Sequence, residues 1–253
     1  MTSRVLKNYF IRSFHPRTLK NKFLHFALKG STVECPCCGS KYITFLPAGL
    51  QKRANAKCVK CGSLERHRTL WLYLNEKNIF NNHIKLLHVA PEPQLYAKFS
   101  KLKNIDYYPI DLQPEMYAYG SKTKKMDVTA MTFSDGYFDV VMCNHVLEHI
   151  PDDMKAMREM FRVLKSDGYA ILNVPVNTHL EETFEDASVT DPKKREEIFG
   201  QCDHVRIYGK DYITRLNEAG FNVEVVNYVS RFTHNEKFKF GLKENELIYY
   251  CTK

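Results

Sequence analysis

The sequence predicts an α/β fold in which helices cover both faces of a mostly parallel sheet, with a small cysteine-bearing module in front of it. Three observations carry this. From Arg66 to Lys253, short apolar runs bounded by turn residues alternate with amphipathic stretches. Ahead of that region the cysteines come in two C-x-x-C pairs, Cys35 with Cys38 and Cys58 with Cys61. The remaining four, Cys37, Cys143, Cys202 and Cys251, are scattered.

Taken in order, Thr69–Asn75 (TLWLYLN) reads as an apolar helix, and Lys85–Ala90 (KLLHVA) as a first strand broken by Pro91 and Pro93. Gln94–Leu102 is a short helix, and Ile105–Ile110 a second strand that stops at Asp111. Phe138–Cys143 (FDVVMC) is a continuous apolar run, as expected of a strand buried on both faces. The turn from Asn144 to Pro151 leads to Asp152, whose carboxylate can cap a helix from Asp153 to Leu164. Gly168 is expected to end that element, and Tyr169–Val174 to form the next strand. A polar loop follows from Pro175 to about Gly209, then a helix from Asp211 to Ala219 closed by Gly220. Asn222–Val229 and Glu246–Cys251 are expected as an antiparallel pair at the sheet edge.

Composition narrows the class. With 253 residues, 44% of them hydrophobic and 26% charged, the chain can bury a sizeable core and is not disordered overall. No run approaches the roughly 18 apolar residues of a membrane span, and the N-terminus lacks a signal peptide's apolar stretch. A cytoplasmic location is expected. The net charge of +8 is unevenly placed: residues 1–33 contain Arg4, Lys7, Arg12, Arg17, Lys20, Lys22 and Lys29 but no acid. With Phe10, Phe14, Phe23 and Leu24 this makes a basic amphipathic arm. The arm either packs on its own domain as a solvated helix or meets an anionic surface, such as the inner face of the membrane or RNA. Three regions are therefore expected, at 1–33, 34–65 and 66–253.

In residues 34–65, each cysteine pair is followed by glycine, Gly39 or Gly62, which lets the backbone turn tightly around a metal. Two such pairs in an intracellular chain point to a zinc ribbon rather than to disulfides. Four thiolates close a tetrahedral shell, so the expected Zn2+ at Cys35, Cys38, Cys58 and Cys61 is structural. A redox dithiol would expect one C-x-x-C beside a thioredoxin-like pattern, which is missing. Cys37 is read as a bystander.

The segment Met126–Pro175 (MDVTAMTFSDGYFDVVMCNHVLEHIPDDMKAMREMFRVLKSDGYAILNVP) resembles the middle of a class I S-adenosylmethionine-dependent methyltransferase. CGSLERHR, the WLYL helix and FGQCDHVRIYG further resemble an uncharacterised bacterial subgroup with an N-terminal four-cysteine zinc ribbon. The resemblance covers roughly Lys85 to Lys253. It implies a Rossmann-like seven-stranded sheet holding S-adenosyl-L-methionine across the carboxyl ends of its strands, where open α/β sheets bind ligands. Asp111, with Leu112 beside it, ends the second strand where a carboxylate can accept ribose hydroxyls. Asp127 and the Val128 N–H are placed for adenine, and Asn144 and His145 for the methionine portion. One departure concerns the first loop, where Ala90-Pro91-Glu92-Pro93 stands in place of the usual glycines. Glu92 is expected to take the cofactor's ammonium, and the missing glycines motivate a rival reading as a non-catalytic binding or scaffold protein.

Alcohol methylation needs a base, and His149 follows His145 by four residues, near the expected pocket. Asp203, His204 and Arg206 form a dense polar group that is assigned with His149 to the acceptor side. The alternative for His149 is a packed histidine with no chemical role. Residues 177–202 are long enough for a lid. The expected reaction is O-methylation of a small molecule or glycan, such as a surface polysaccharide or glycolipid precursor. RNA is the second choice, because the ribbon offers only Tyr42 and Phe45 between its pairs for stacking bases.

Overall fold

The computed structural model describes residues 19–49, 51–116 and 122–253. Most of the basic arm, including Arg4, Lys7, Phe10, Arg12, Phe14 and Arg17, lies outside the described residues.

After helix α1 (Leu19–Ala27) come two small antiparallel pairs, β1 (Lys29–Glu34) with β2 (Lys41–Tyr42) and β3 (Leu46–Ala48) with β4 (Arg53–Lys57). They enclose their own small core of Val33, Tyr42, Phe45 and the cysteines. Helix α2 (Glu65–Glu76) leads out of this module.

The main sheet contains β5 (Ile84–Val89), β6 (Ile105–Asp111), β7 (Lys124–Lys125), β8 (Phe138–Asn144), β9 (Leu164–Asn173), β12 (Asn222–Val226) and β13 (Ile248–Thr252). Its order is β12-β13-β9-β8-β5-β6-β7, with β13 antiparallel to both its neighbours and the other pairings parallel. This is the expected seven-stranded Rossmann-like sheet. From β5 the chain runs outward through β6 to β7, then returns to the other side of β5 at β8. The order therefore reverses between β5 and β8, where a crevice must open beyond their carboxyl ends.

Strand β8 shows how both faces are covered. Val141 and Cys143 point into one core with Met157 and Met160 of α4 (Asp153–Val163) and Leu216 of α6 (Tyr212–Glu218). Val140 and Met142 point into the other, with Leu70 and Leu74 of α2 and Leu95 and Phe99 of α3 (Pro93–Phe99). In α4, Ala156, Met157, Met160 and Val163 fall on one helical face, all fully buried. The Asp152 carboxylate caps the helix as expected, accepting from the Lys155 N–H at 2.9 Å.

Three elements depart from the sequence reading. Helix α4 stops at Val163 and β9 begins at once, so Gly168 lies inside the strand. A Cβ there would sit 2.8 Å from the Asp139 carbonyl on β8, so close strand approach, not helix termination, requires glycine. Strand β13 is interior, between β12 and β9. The polar stretch after Pro175 contains β10 (Phe184–Glu185) paired with β11 (Arg206–Ile207) and helix α5 (Pro192–Phe199). A last helix, α7 (His234–Phe240), meets the cysteine module where Asn55 donates to the Phe238 carbonyl at 3.0 Å. Among the described residues no helix is long and apolar enough to cross a membrane.

Candidate functional site

A cavity of about 900 Å³ opens at the carboxyl ends of β5, β6 and β8. Every residue that the sequence places at the cofactor lines it: Ala90, Pro91, Glu92, Asp111, Leu112, Asp127, Val128, Asn144 and His145. Two turns shape its floor. Ala90 (φ 43°) after β5 and His145 (φ 54°) after β8 both have left-handed backbones, a strain of order 1–3 kcal/mol each. They are held by N–H bonds from Ala90 to the Ile110 carbonyl (2.8 Å) and from His145 to the Asn173 carbonyl (2.7 Å). Ala90 thus makes the turn that a glycine would make without strain.

The polar groups around this floor differ in how fully they are used. Asp111 is buried, and burial pushes its carboxyl up even though Oδ1 accepts from the Gln113 N–H at 2.7 Å. Asn144 is 4% exposed, with Oδ1 engaged by Asn173 and Nδ2 without a partner. Burial works against charge on Glu92, but His88 Nε2 donates to it at 3.0 Å and cationic neighbours add to that, holding its carboxyl at about 2. Glu92 is therefore an anchored anion facing the cavity. Asp127 is exposed, and its Oδ1 accepts from both the N–H and the hydroxyl of Thr129 at 2.8 Å.

The sequence reading missed a wall. Gly62, Leu64, Arg66 and His67 also line the cavity, so the cysteine module and the start of α2 close one side of it. His67 is 4% exposed and accepts from the Leu64 N–H at Nδ1 (3.1 Å). Its Nε2, 3.9 Å from Glu92, has no hydrogen-bond partner, and neither does Arg66 Nε. The run CGSLERHR held these residues in plain view, but nothing in its spacing says that the helix start faces the sheet. An orphaned amide nitrogen, an orphaned imidazole nitrogen and a fixed carboxylate around one cavity fit a zwitterionic amino-acid moiety.

Of the residues expected at the acceptor, His149 and Asp203 line the cavity and face each other, with His149 Nδ1 3.4 Å from Asp203 Oδ2. His204 lies behind them, its ring 4.7 Å from that of His149, and burial followed by the neighbouring His149 lowers its basicity. Arg206 is a correction. It is 2% exposed and turned away from the cavity, donating to the carbonyls of Leu147, Ile150 and Pro151 and pairing with Glu185. Beside it the buried Asp153 accepts from the Tyr208 hydroxyl (2.6 Å) and from Arg215 (2.7 Å). Arg206 fixes the loop after β8 and does not line the cavity.

The four cysteines converge. Cys35 Sγ lies 3.6 Å from Cys61 Sγ, and Cys38 Sγ lies 3.7 Å from Cys58 Sγ. Tetrahedral coordination at Zn–S of ~2.3 Å sets sulfur–sulfur edges of about 3.8 Å, so the nest has the size of that ion. Gly39 (φ 67°) and Gly62 (φ 73°) make the two turns, which only glycine makes without strain. Cys37 stands outside the nest, with its thiol toward the His67 carbonyl at 3.5 Å.

Comparison with known proteins agrees with this topology. Residues 92–172 match the family model described as "Methyltransferase domain". An uncharacterized methyltransferase of Mycobacterium sp. (strain KMS) is 30% identical over 97 residues, 36% of this chain and 38% of that protein. An arsenite methyltransferase of Aquipseudomonas alcaligenes is 26% identical over 96 residues, 38% of this chain and 25% of that protein. The chain thus spans less than half the length of these curated relatives. The crystal structure of the [4+2]-cyclase SpnF superposes with a TM-score of 0.54 at 14% identity, covering 83% of this chain and 88% of that one. The main sheet with its flanking helices is the seven-stranded fold of Rossmann-like methyltransferases.

Proposed function

We propose that the protein is an S-adenosylmethionine-dependent methyltransferase that methylates an oxygen of a small molecule or glycan, with surface polysaccharide or glycolipid precursors as the acceptor class. The observation that carries this is the set of unspent polar groups at the strand ends: buried Asp111, the orphaned amide of Asn144 and the anchored Glu92. S-adenosylmethionine, when bound, supplies an electrophilic methyl carbon on a sulfonium. The chain's own task is to align acceptor and methyl group and to exclude water. Asp111 accepts the ribose hydroxyls, and Asp127 with the Val128 N–H faces the adenine. Glu92 meets the ammonium, while Asn144 and Arg66 meet the carboxylate. His149, oriented by Asp203, and His204 receive the acceptor. The four thiols hold a structural zinc whose module supports the Arg66 side of the cavity.

Two features weigh on the acceptor. Tyr42 and Phe45 of the cysteine module are buried, so neither offers a face on which RNA bases could stack, which disfavours the RNA reading. Phe23 and Phe26 on α1 are 71% and 75% exposed beside Lys29, an apolar and basic surface of the kind that settles on anionic lipid. Vesicles with and without anionic lipid test this. Binding should require the anionic lipid and weaken in the Phe23→Ser, Phe26→Ser double variant.

The activity is tested by calorimetric titration with S-adenosylhomocysteine and by transfer of labelled methyl into cell extract split into RNA, protein, glycan and lipid. Binding with label in glycan or lipid is expected. Label confined to RNA overturns the acceptor class, and failure to bind overturns methyl transfer in favour of a scaffold role.

A further inference from the structure

Behind the wall of the cavity that His149 lines lie acceptor atoms that no hydrogen bond uses. Glu148 and His149 lie on the short helical turn Leu147–His149 after β8, and His204 lies just before β11. One ligand atom from each of Glu148, His149 and His204 falls within 4.8 Å of the other two. Glu148 is 2% exposed and His204 6%, yet Glu148 Oε2 and His204 Nε2 have no hydrogen-bond partner. Leaving such buried groups unsatisfied is costly, and these two converge without bonding each other. Two such converging lone-pair donors suit a shared positive centre.

The surroundings hold the three groups in place. His145 Nδ1 stands 3.6 Å from Glu148 Oε1, which leaves Oε2 for the shared space. Asp203 orients the ring of His149 through its carbonyl at 3.3 Å and its carboxylate at 3.4 Å from Nδ1. The Phe199 backbone lies beside the His204 ring and favours its protonated form. Second contacts of this kind fix the ring orientation of metal-ligating histidines. The backbone is fixed as well, with the Val205 N–H donating to the Glu148 carbonyl at 2.9 Å and Arg206 holding the carbonyls of Leu147 and Ile150.

We propose that Glu148, His149 and His204 form a second metal centre, distinct from the cysteine nest, for a divalent first-row transition ion. Two imidazoles and one carboxylate suit Zn2+, Fe2+, Co2+ or Mn2+, and three protein ligands leave coordination positions open. His149 lines the cavity, so the open positions serve an oxygen of the acceptor. The ligand class is a hydroxyl or vicinal diol that can lose a proton. The site itself stands on the unpartnered donors; its role toward the acceptor rests on the methyltransferase reading.

The test uses the full chain with its cysteine site saturated with zinc, titrated with Co2+ by calorimetry and visible absorption. One further equivalent should bind, with weak d–d bands and no sulfur charge-transfer band. His149→Ala and His204→Gln should each weaken Co2+ binding at least about tenfold with an unchanged thermal midpoint. His149 is partly exposed, so its variant keeps the proposal testable should His204→Gln fail to fold. Absence of a further equivalent, a thiolate charge-transfer band, or affinity indifferent to both substitutions would falsify the site. S-adenosylhomocysteine titrations on the same samples keep the two ideas apart: Co2+ binding without cofactor binding sinks methyl transfer alone, and the reverse sinks the metal centre alone.

Discussion

The guanidinium of Arg68 donates from Nη2 to the Gly241 carbonyl at 2.6 Å and to the Ala56 carbonyl at 2.9 Å, joining the cysteine module to a turn 173 residues further along the chain. Its other nitrogens reach the carbonyls of Ser63 (2.7 Å) and Phe240 (2.8 Å), and the Phe45 ring lies 4.4 Å away. Arg68 is fully buried and all four bonds go to neutral carbonyls. Its charge is tolerated because those dipoles converge on it. Arg68→Met should remove the bonds while roughly keeping the volume, leaving the buried carbonyls without a donor. The expected loss is about 3 kcal/mol or more in denaturant unfolding. A loss below about 1 kcal/mol would mean that water or neighbouring N–H groups satisfy those carbonyls equally well.

The cysteine nest makes a metal prediction. Purified protein should hold one zinc equivalent that resists dilution, and a strong chelator should lower the thermal midpoint. Cys58→Ser should unfold the module, because such sites contribute roughly 10 kcal/mol to folding. His67 and Arg66 follow that module into the cavity wall, so S-adenosylhomocysteine affinity should fall with the zinc. Zinc content far below one equivalent in freshly prepared protein would contradict the assignment.

The two carboxylates proposed to face the adenosine should not be equal. Asp111 is 6% exposed and commits one oxygen to Gln113, while Asp127 is exposed and already satisfied by Thr129. A charged hydrogen bond lost from the buried site costs about 1.5–3 kcal/mol, or roughly 10- to 150-fold in affinity. Asp111→Ala should therefore weaken S-adenosylhomocysteine binding by that range, and Asp127→Ala by clearly less. Equal losses in titration calorimetry would show that both acids bind ligand directly.

These contrasts mark what sequence could and could not disclose. β5, β6 and β8 were legible because strands buried on both faces must be continuously apolar, and the residues lining the cavity at their ends were legible because they follow strand ends. β7 was not: Lys124 and Lys125 are exposed and join β6 through backbone alone. α7 was missed because no residue of it is buried. Arg206 misled for a related reason. Its neighbour Asp203 lines the cavity and His204 packs behind it, but a short strand pairing at Arg206 turns its side chain inward, and composition carries no direction. Arg66 and His67 were missed because their role depends on how the cysteine module leans on the sheet, a long-range relationship with no local pattern.

His67 links that wall to pH. Burial, then the charge of Arg66, lowers its basicity to about 3, against about 6.5 in an unfolded chain. The folded state therefore keeps the ring neutral while the unfolded state takes up a proton below pH 6.5. Stability from this group is complete above that value and is lost as pH falls toward 3. Between pH 7 and pH 5 the loss is about 2 kcal/mol for a fully shifted histidine. Other titrating groups contribute to the raw pH dependence, so the comparison is with His67→Gln, which cannot take up the proton. The stability difference between wild type and His67→Gln should shift by about 2 kcal/mol in favour of the variant on going from pH 7 to pH 5. Urea midpoints at the two pH values, measured on zinc-saturated protein, read this directly. A difference that stays constant would mean that water reaches Nε2 and that His67 titrates like a surface histidine. The cavity wall would then be open to solvent on the side of the cysteine module rather than sealed against it.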